Sequence, residues 1–121
     1  MANNATRKGR FQWNRDYDEL ARDAYVVIRA RCREGIRVEW GAFELVFPAV
    51  PRNSVRQRMV TLREAPGADA YLKRLEDRWY DIWVLHRGTD DLPDEDLQSA
   101  SNFDIVKHVE FLRRYIDKNA M

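Results

Sequence analysis

A chain of 121 residues that is 45% hydrophobic, with five Phe, five Tyr and four Trp, has enough apolar material for one folded core, which excludes an intrinsically disordered polymer. Its single cysteine, Cys32, excludes an internal disulfide and a multi-cysteine zinc site and points to a reducing compartment. The net charge of +1 hides an asymmetry: residues 1–63 hold 13 Lys/Arg and 7 Asp/Glu, and residues 64–121 hold 8 and 13. Either the basic front half faces a polyanion, or the two halves attract each other within one fold.

No apolar run reaches the length of a membrane span, and MANNATRKGR lacks the apolar segment of a secretory signal. Residues 1–12, with Arg7, Lys8 and Arg10, read as a basic flexible arm. The first helix opens at Trp13. Asn14 is a good N-cap, and Asp16, Asp18 and Glu19 bring negative charge to the positive end of the helix dipole. Tyr17, Leu20, Ala21, Ala24, Val27, Ile28 and Arg31 follow helical spacing up to a stop at Gly35. A second short helix is predicted from Glu39 to Phe47, burying Trp40, Phe43 and Phe47, and Pro48 and Pro51 bracket the turn after it.

The third helix is expected to start at Asn53 or Ser54, with Val55, Met59 and Leu62 as its apolar stripe. Pro66 and Gly67 punctuate the chain. A long fourth helix then carries Leu72, Leu75, Trp79, Ile82, Trp83 and His86 at 3-4 spacing until Gly88. Residues 89–101, TDDLPDEDLQSAS, read as an acidic loop. A last helix begins at Ser101 or Asn102, with Phe103, Ile105, Val106, Val109, Leu112 and Ile116 on its buried side. The chain is therefore expected to be all-α with about five helices. Residues 13–64 form a three-helix domain of helix-turn-helix type, and residues 67–118 form a two-helix extension packed on it.

Function is sought first on the third helix. A recognition helix presents arginine and polar side chains to base edges and phosphates from its N-terminal half. Arg52, Asn53, Ser54, Arg56 and Gln57 meet that demand, and Arg63 lies off the apolar stripe as well. The alternative is a solvated basic face. Arg58, directly before Met59, is expected to pair with Asp16 or Glu19. Arg7, Lys8 and Arg10 offer a second contact, to phosphate or the minor groove. Trp79 and Trp83, one turn apart, read as core; any part of that stripe left uncovered by the last helix would be a docking surface for another protein.

Catalytic chemistry finds little footing. His86 and His108 lack partners at metal-ligand spacing and read as surface or half-buried side chains. The acids Asp90, Asp91, Asp94, Glu95 and Asp96 do not follow a calcium-loop pattern. Cys32 sits at the wrong end of a helix to become a thiolate. With no phosphate loop and no nucleophile beside a base, no enzyme, metal, cofactor or small-molecule substrate is expected.

The strings WNRDYDEL, Trp40 and SVRQRM resemble a Myb/SANT repeat, in which bulky residues head three helices; Met59 stands at the position of the third tryptophan, after Arg58. RFQWNRDYDELARDA, VFPAVPRNSVRQRM, YLKRLEDRWYDIW and SNFDIVKHVEFLR resemble the largest subunit of fungal TFIIIC, the general transcription factor of RNA polymerase III. That resemblance implies nuclear location, assembly with other TFIIIC subunits and contact with tRNA-gene promoter DNA. The alternative it leaves is a protein-interaction module that docks another subunit without touching DNA. Methionine at the third core position is common in Myb-like domains that bind protein.

Overall fold

A computed structural model of the chain describes residues 11–35, 40–90, 92 and 104–120. Five α-helices carry the fold, with no strand among the described residues. They are α1 (Arg15–Cys32), α2 (Phe43–Val46, entered through a 3-10 turn at Trp40–Ala42), α3 (Arg52–Glu64), α4 (Ala68–His86) and α5 (Ile105–Tyr115), followed by a 3-10 turn at Lys118–Ala120.

Helix α1 starts as its sequence dictates: the Asn14 side chain accepts from the Tyr17 N–H at 2.9 Å, and Asp16 and Asp18 occupy the first turn. It is the central helix, packing against α3, α4 and α5. A helix contacted on several sides must be apolar on several sides. Ala21, Ala24, Val26, Val27, Ile28 and Ala30 are accordingly buried, a wider band than one amphipathic stripe. Gly35 ends the segment with φ of 76°, a left-handed conformation that costs other residues about 1–2 kcal/mol.

The next elements correct three sequence-based expectations. Helix α2 is shorter than Glu39–Phe47 because its first turn is 3-10 and contains Gly41, a poor helix former; Phe43 and Phe47 are buried, and the Trp40 side chain lies outside the described residues. Helix α3 begins at Arg52, with Pro51 as its N-cap. Proline needs no N–H partner there, and its carbonyl accepts from the N–H groups of Ser54 and Val55. Asn53 and Ser54 therefore lie in the first turn and do not cap it. Helix α5 is capped by Asp104, which accepts from the Lys107 N–H at 3.1 Å, whereas Phe103 and the expected starts Ser101 and Asn102 lie outside the described residues.

One core cluster joins all these elements. It contains Val55, Met59 and Leu62 of α3, Leu72, Leu75, Trp79 and Trp83 of α4, and Ile105, Val109, Phe111 and Leu112 of α5. Val106, expected inside, is 39% exposed; Phe111, unremarked in the helical pattern, is fully buried. Trp79 and Trp83 stack with ring centroids 5.7 Å apart, and the guanidiniums of Arg31 and Arg87 lie 5.9 and 5.1 Å from the Trp83 ring. The expectation that this pair could dock a partner is corrected by its burial, 0% and 2% exposed.

Four charged or polar residues are also interior among the described residues: Asp18, Asp23, Arg31 and His108. Asp23 is fully buried and accepts from Arg113 Nε at 2.9 Å and Lys118 Nζ at 2.7 Å. These bonds tie the C-terminal end to α1. His108 corrects its surface assignment: it is 1% exposed, packs near Trp79, and donates Nδ1–H to the Asp104 carbonyl at 2.8 Å. Burial pushes its pKa from 6.5 down to about 4, with nearby Arg31 acting in the same direction. Arg31 itself is fully buried at the α1 end that α4 covers.

Candidate nucleic-acid interface

Helix α3 is held by its buried stripe and by interhelical ion pairs, of which Arg58–Asp18 is the least exposed. Arg58 reaches back to α1 and donates from Nε and Nη2 to the two carboxylate oxygens of Asp18, at 2.8 and 2.7 Å. Those hydrogen bonds raise the guanidinium pKa above its ordinary value. The same guanidinium sits 5.9 Å from the Trp13 ring. Arg58 is thus structural, as its position beside Met59 suggested, but its partner is Asp18; Asp16 and Glu19 were the expected ones. The register explains the difference: Asp18 is the first-turn acid that faces α3, buried to 9% exposure, while Asp16 and Glu19 are exposed.

With α3 fixed in this way, its outward surface follows from helical rotation. Each residue turns about 100° from the last, so Arg52, Arg56 and Arg63 fall within about 40° of one another on one flank. Asn53 and Gln57 form the crown next to them. All five are exposed, and nothing in the described chain covers them. Ser54 turns toward the opposite flank and is half-buried beside Trp13, Gln57, Arg58 and Thr61. The predicted set is therefore brought onto one helix surface, except that Ser54 stands apart from the arginines. Arg7, Lys8 and Arg10 lie outside the described residues. The chain after them is anchored by Phe11, whose ring meets Trp13 at 4.9 Å and Tyr17 at 4.7 Å, edge to face.

The electrostatic state of the flank is uneven. Arg52 donates from Nε and Nη2 to Glu44 Oε1, at 3.0 and 2.5 Å, with both side chains about half exposed. Arg63 lies 3.7 Å from Asp69 and 5.3 Å from the Tyr25 ring. Arg56 has no ion-pair or hydrogen-bond partner among the described residues. The N-terminus of α3 has no side-chain cap, in contrast to α1 and α5, and no acid in its first turn, in contrast to α1. Its leading N–H groups and the exposed Arg56 thus leave that end of α3 positive, while Arg52 is shared with Glu44.

Beside the arginine flank runs a slot of about 250 Å³ between α1, α2 and α3, with Tyr25, Phe43 and Val60 among its walls. Sequence periodicity missed Tyr25 and Val60 as surface features. The available signal was Val60, an apolar residue off the Val55–Met59–Leu62 stripe, which is 54% exposed. A second groove, between α1, α2 and α5, is lined by Leu20, Leu45, Val46, Val106 and Val109, and Leu45 is 61% exposed. Among the described residues no cluster of His, Cys, Asp or Glu could hold a metal ion, and no helix is long and apolar enough to cross a membrane.

The comparisons with curated proteins and with solved structures returned no match. A family model does match over residues 7–121, which takes in every helix and the whole outward face of α3, and the chain accordingly belongs to that family, a Family of unknown function (DUF6581).

Proposed function

We propose that this chain is a non-catalytic module that binds duplex DNA through the outward face of α3. The observation that carries the reading is the uncovered cluster of Arg52, Asn53, Arg56, Gln57 and Arg63 on a single helix surface. Guanidiniums at Arg52, Arg56 and Arg63 suit phosphate oxygens, and the amides of Asn53 and Gln57 suit base edges in a major groove. The uncapped N-terminus of α3 adds backbone N–H groups of the kind that receive phosphate. The likeness of WNRDYDEL and SVRQRM to a Myb/SANT repeat, and of the longer strings to the TFIIIC large subunit, supports a nuclear setting in the RNA polymerase III initiation machinery. tRNA-gene promoter DNA is then the target and other TFIIIC subunits are the neighbours.

The test is a titration of the chain against a tRNA-gene duplex and a scrambled duplex at two salt concentrations, with an Arg52→Ala/Arg56→Ala variant alongside. Affinity is expected to fall with salt by a log–log slope of about 0.9 for each phosphate neutralised, with a shallower slope in the variant. Absence of low-salt binding, or indifference to the variant, would sink the proposal. Preference for the promoter duplex over the scrambled one is what the TFIIIC assignment adds.

A second reading, docking to another subunit without DNA contact, is favoured by one observation: the apolar groove around Leu45 and Val106. Trp79 and Trp83 no longer serve that reading because they are buried. Retained binding to the other TFIIIC subunits by a chain that ignores duplex DNA would favour it.

A further inference from the structure

The slot on the arginine flank of α3 pairs two chemistries that a nucleic-acid backbone does not need together. Its walls are apolar, made by Tyr25, Phe43, Val55, Met59 and Val60. Its rim is cationic, made by Arg52, Arg56 and Arg63, and none of the residues lining it is acidic. Phosphates would engage the rim and leave the floor unfilled. A ligand with an apolar body between carboxylates would engage both.

We propose that this slot binds an acidic, extended segment of a partner protein, with one bulky apolar side chain entering between Tyr25, Phe43 and Val60 and flanking carboxylates pairing with Arg52, Arg56 and Arg63. The dimensions agree. Arg52 and Arg63 are eleven residues apart on α3, or about 16 Å along its axis. An extended peptide covers that span in about five residues. The existing partners yield readily: the Arg52–Glu44 and Arg63–Asp69 pairs are solvent-exposed and so hold their arginines only weakly. Arg56, central on the rim, is already available. Arginine supplies the planar, bidentate geometry that carboxylates favour, so the acids give direction as well as attraction. The inference shares Arg52, Arg56 and Arg63 with the DNA reading and is told apart from it by Asn53 and Gln57, which do not line the slot, and by Val60, which does.

The probe is a fluorescein-labelled peptide, Asp-Glu-Phe-Asp-Glu-Leu-Asp, titrated with the full chain in a fluorescence anisotropy assay. Beside it run one peptide with both apolar residues replaced by serine and one with every acid replaced by its amide. Saturable binding is expected for the parent peptide, with loss for the amide peptide and for an Arg56→Ala/Arg63→Ala protein. Affinity is expected to fall about fivefold for a Val60→Ser protein, from the half-exposed valine surface that the ligand would bury, and by more than that for the serine peptide, which loses a whole bulky side chain. Equal affinity for the parent and serine peptides would reduce the effect to charge attraction and overturn the proposal, as would an unchanged Kd for Val60→Ser. The DNA reading is scored separately by Asn53→Ala/Gln57→Ala against duplex. A chain that binds peptide and no duplex sinks the DNA reading alone, and one that binds duplex and no peptide sinks this inference alone.

Discussion

His108 should make the protein lose stability on mild acidification, and a single substitution should remove that sensitivity. Burial of the imidazole against Trp79 lowers its pKa to about 4 and outweighs the hydrogen bond to the Asp104 carbonyl, which by itself favours the protonated ring; nearby Arg31 acts in the same direction as burial. In the unfolded chain it titrates near 6.5. Between those values the unfolded state binds more protons than the folded state, so stability falls as pH falls, with the full contribution present above 6.5. The complete loss, reached near the folded value, is about 3 kcal/mol, and about 2 kcal/mol of it falls between pH 7 and pH 5. That window lies above the range in which the carboxylates contribute. Glu34 is held below its ordinary value first by the Tyr80 hydroxyl and then by Arg87, and Asp77 first by Lys73 and then by Arg33. Their stabilisation disappears only as pH falls through their lowered values. Urea unfolding followed by circular dichroism at a series of pH values measures the slope directly. His108→Leu keeps the volume apolar and is expected to flatten the profile between pH 7 and pH 5. A variant with the wild-type slope there would refute the assignment of the effect to this imidazole.

Other interior groups give equally direct expectations. Arg113→Ala/Lys118→Ala leaves Asp23 buried without its two cations and should cost about 3–5 kcal/mol, whereas Asp23→Asn, which leaves cations that can turn to solvent, should cost less in the same urea assay. Trp79→Ala should cost about 3–5 kcal/mol through the cavity it opens. Trp79→Phe should be milder than its volume change implies, since the indole N–H it removes is buried without a partner among the described residues. Pro51→Asp adds the missing cap to α3 and is expected to raise Tm, by a free energy of about 0.5–1 kcal/mol, while weakening duplex binding by placing a carboxylate where a phosphate would sit.

Local chemistry in the sequence was sufficient for the helices themselves. Asn14 and the acids behind it start α1, Pro48 and Pro51 isolate α2 from α3, and Gly67 and Gly88, both with positive φ, bracket α4. These signals act within a turn or two of the chain, which is why they are legible without a fold. The stripe of Val55, Met59 and Leu62 was legible for the same reason, and its complement exposed Arg52, Asn53, Arg56, Gln57 and Arg63 as the outward set. What periodicity could not supply was the identity of partners across the core. Asp23 meets Arg113 ninety positions away, and Arg58 selects Asp18 from three nearby acids. His108 shares the buried face of its helix with Ile105 and Leu112, three and four positions away, but only the packing of Trp79 from α4 shows that a polar ring is enclosed there. The slot beside α3 has walls from three helices, so no single segment contains it. Helix boundaries are set by short-range backbone constraints, whereas burial, ion pairing and concavity are set by how separate helices meet, and here only the tertiary structure decided them.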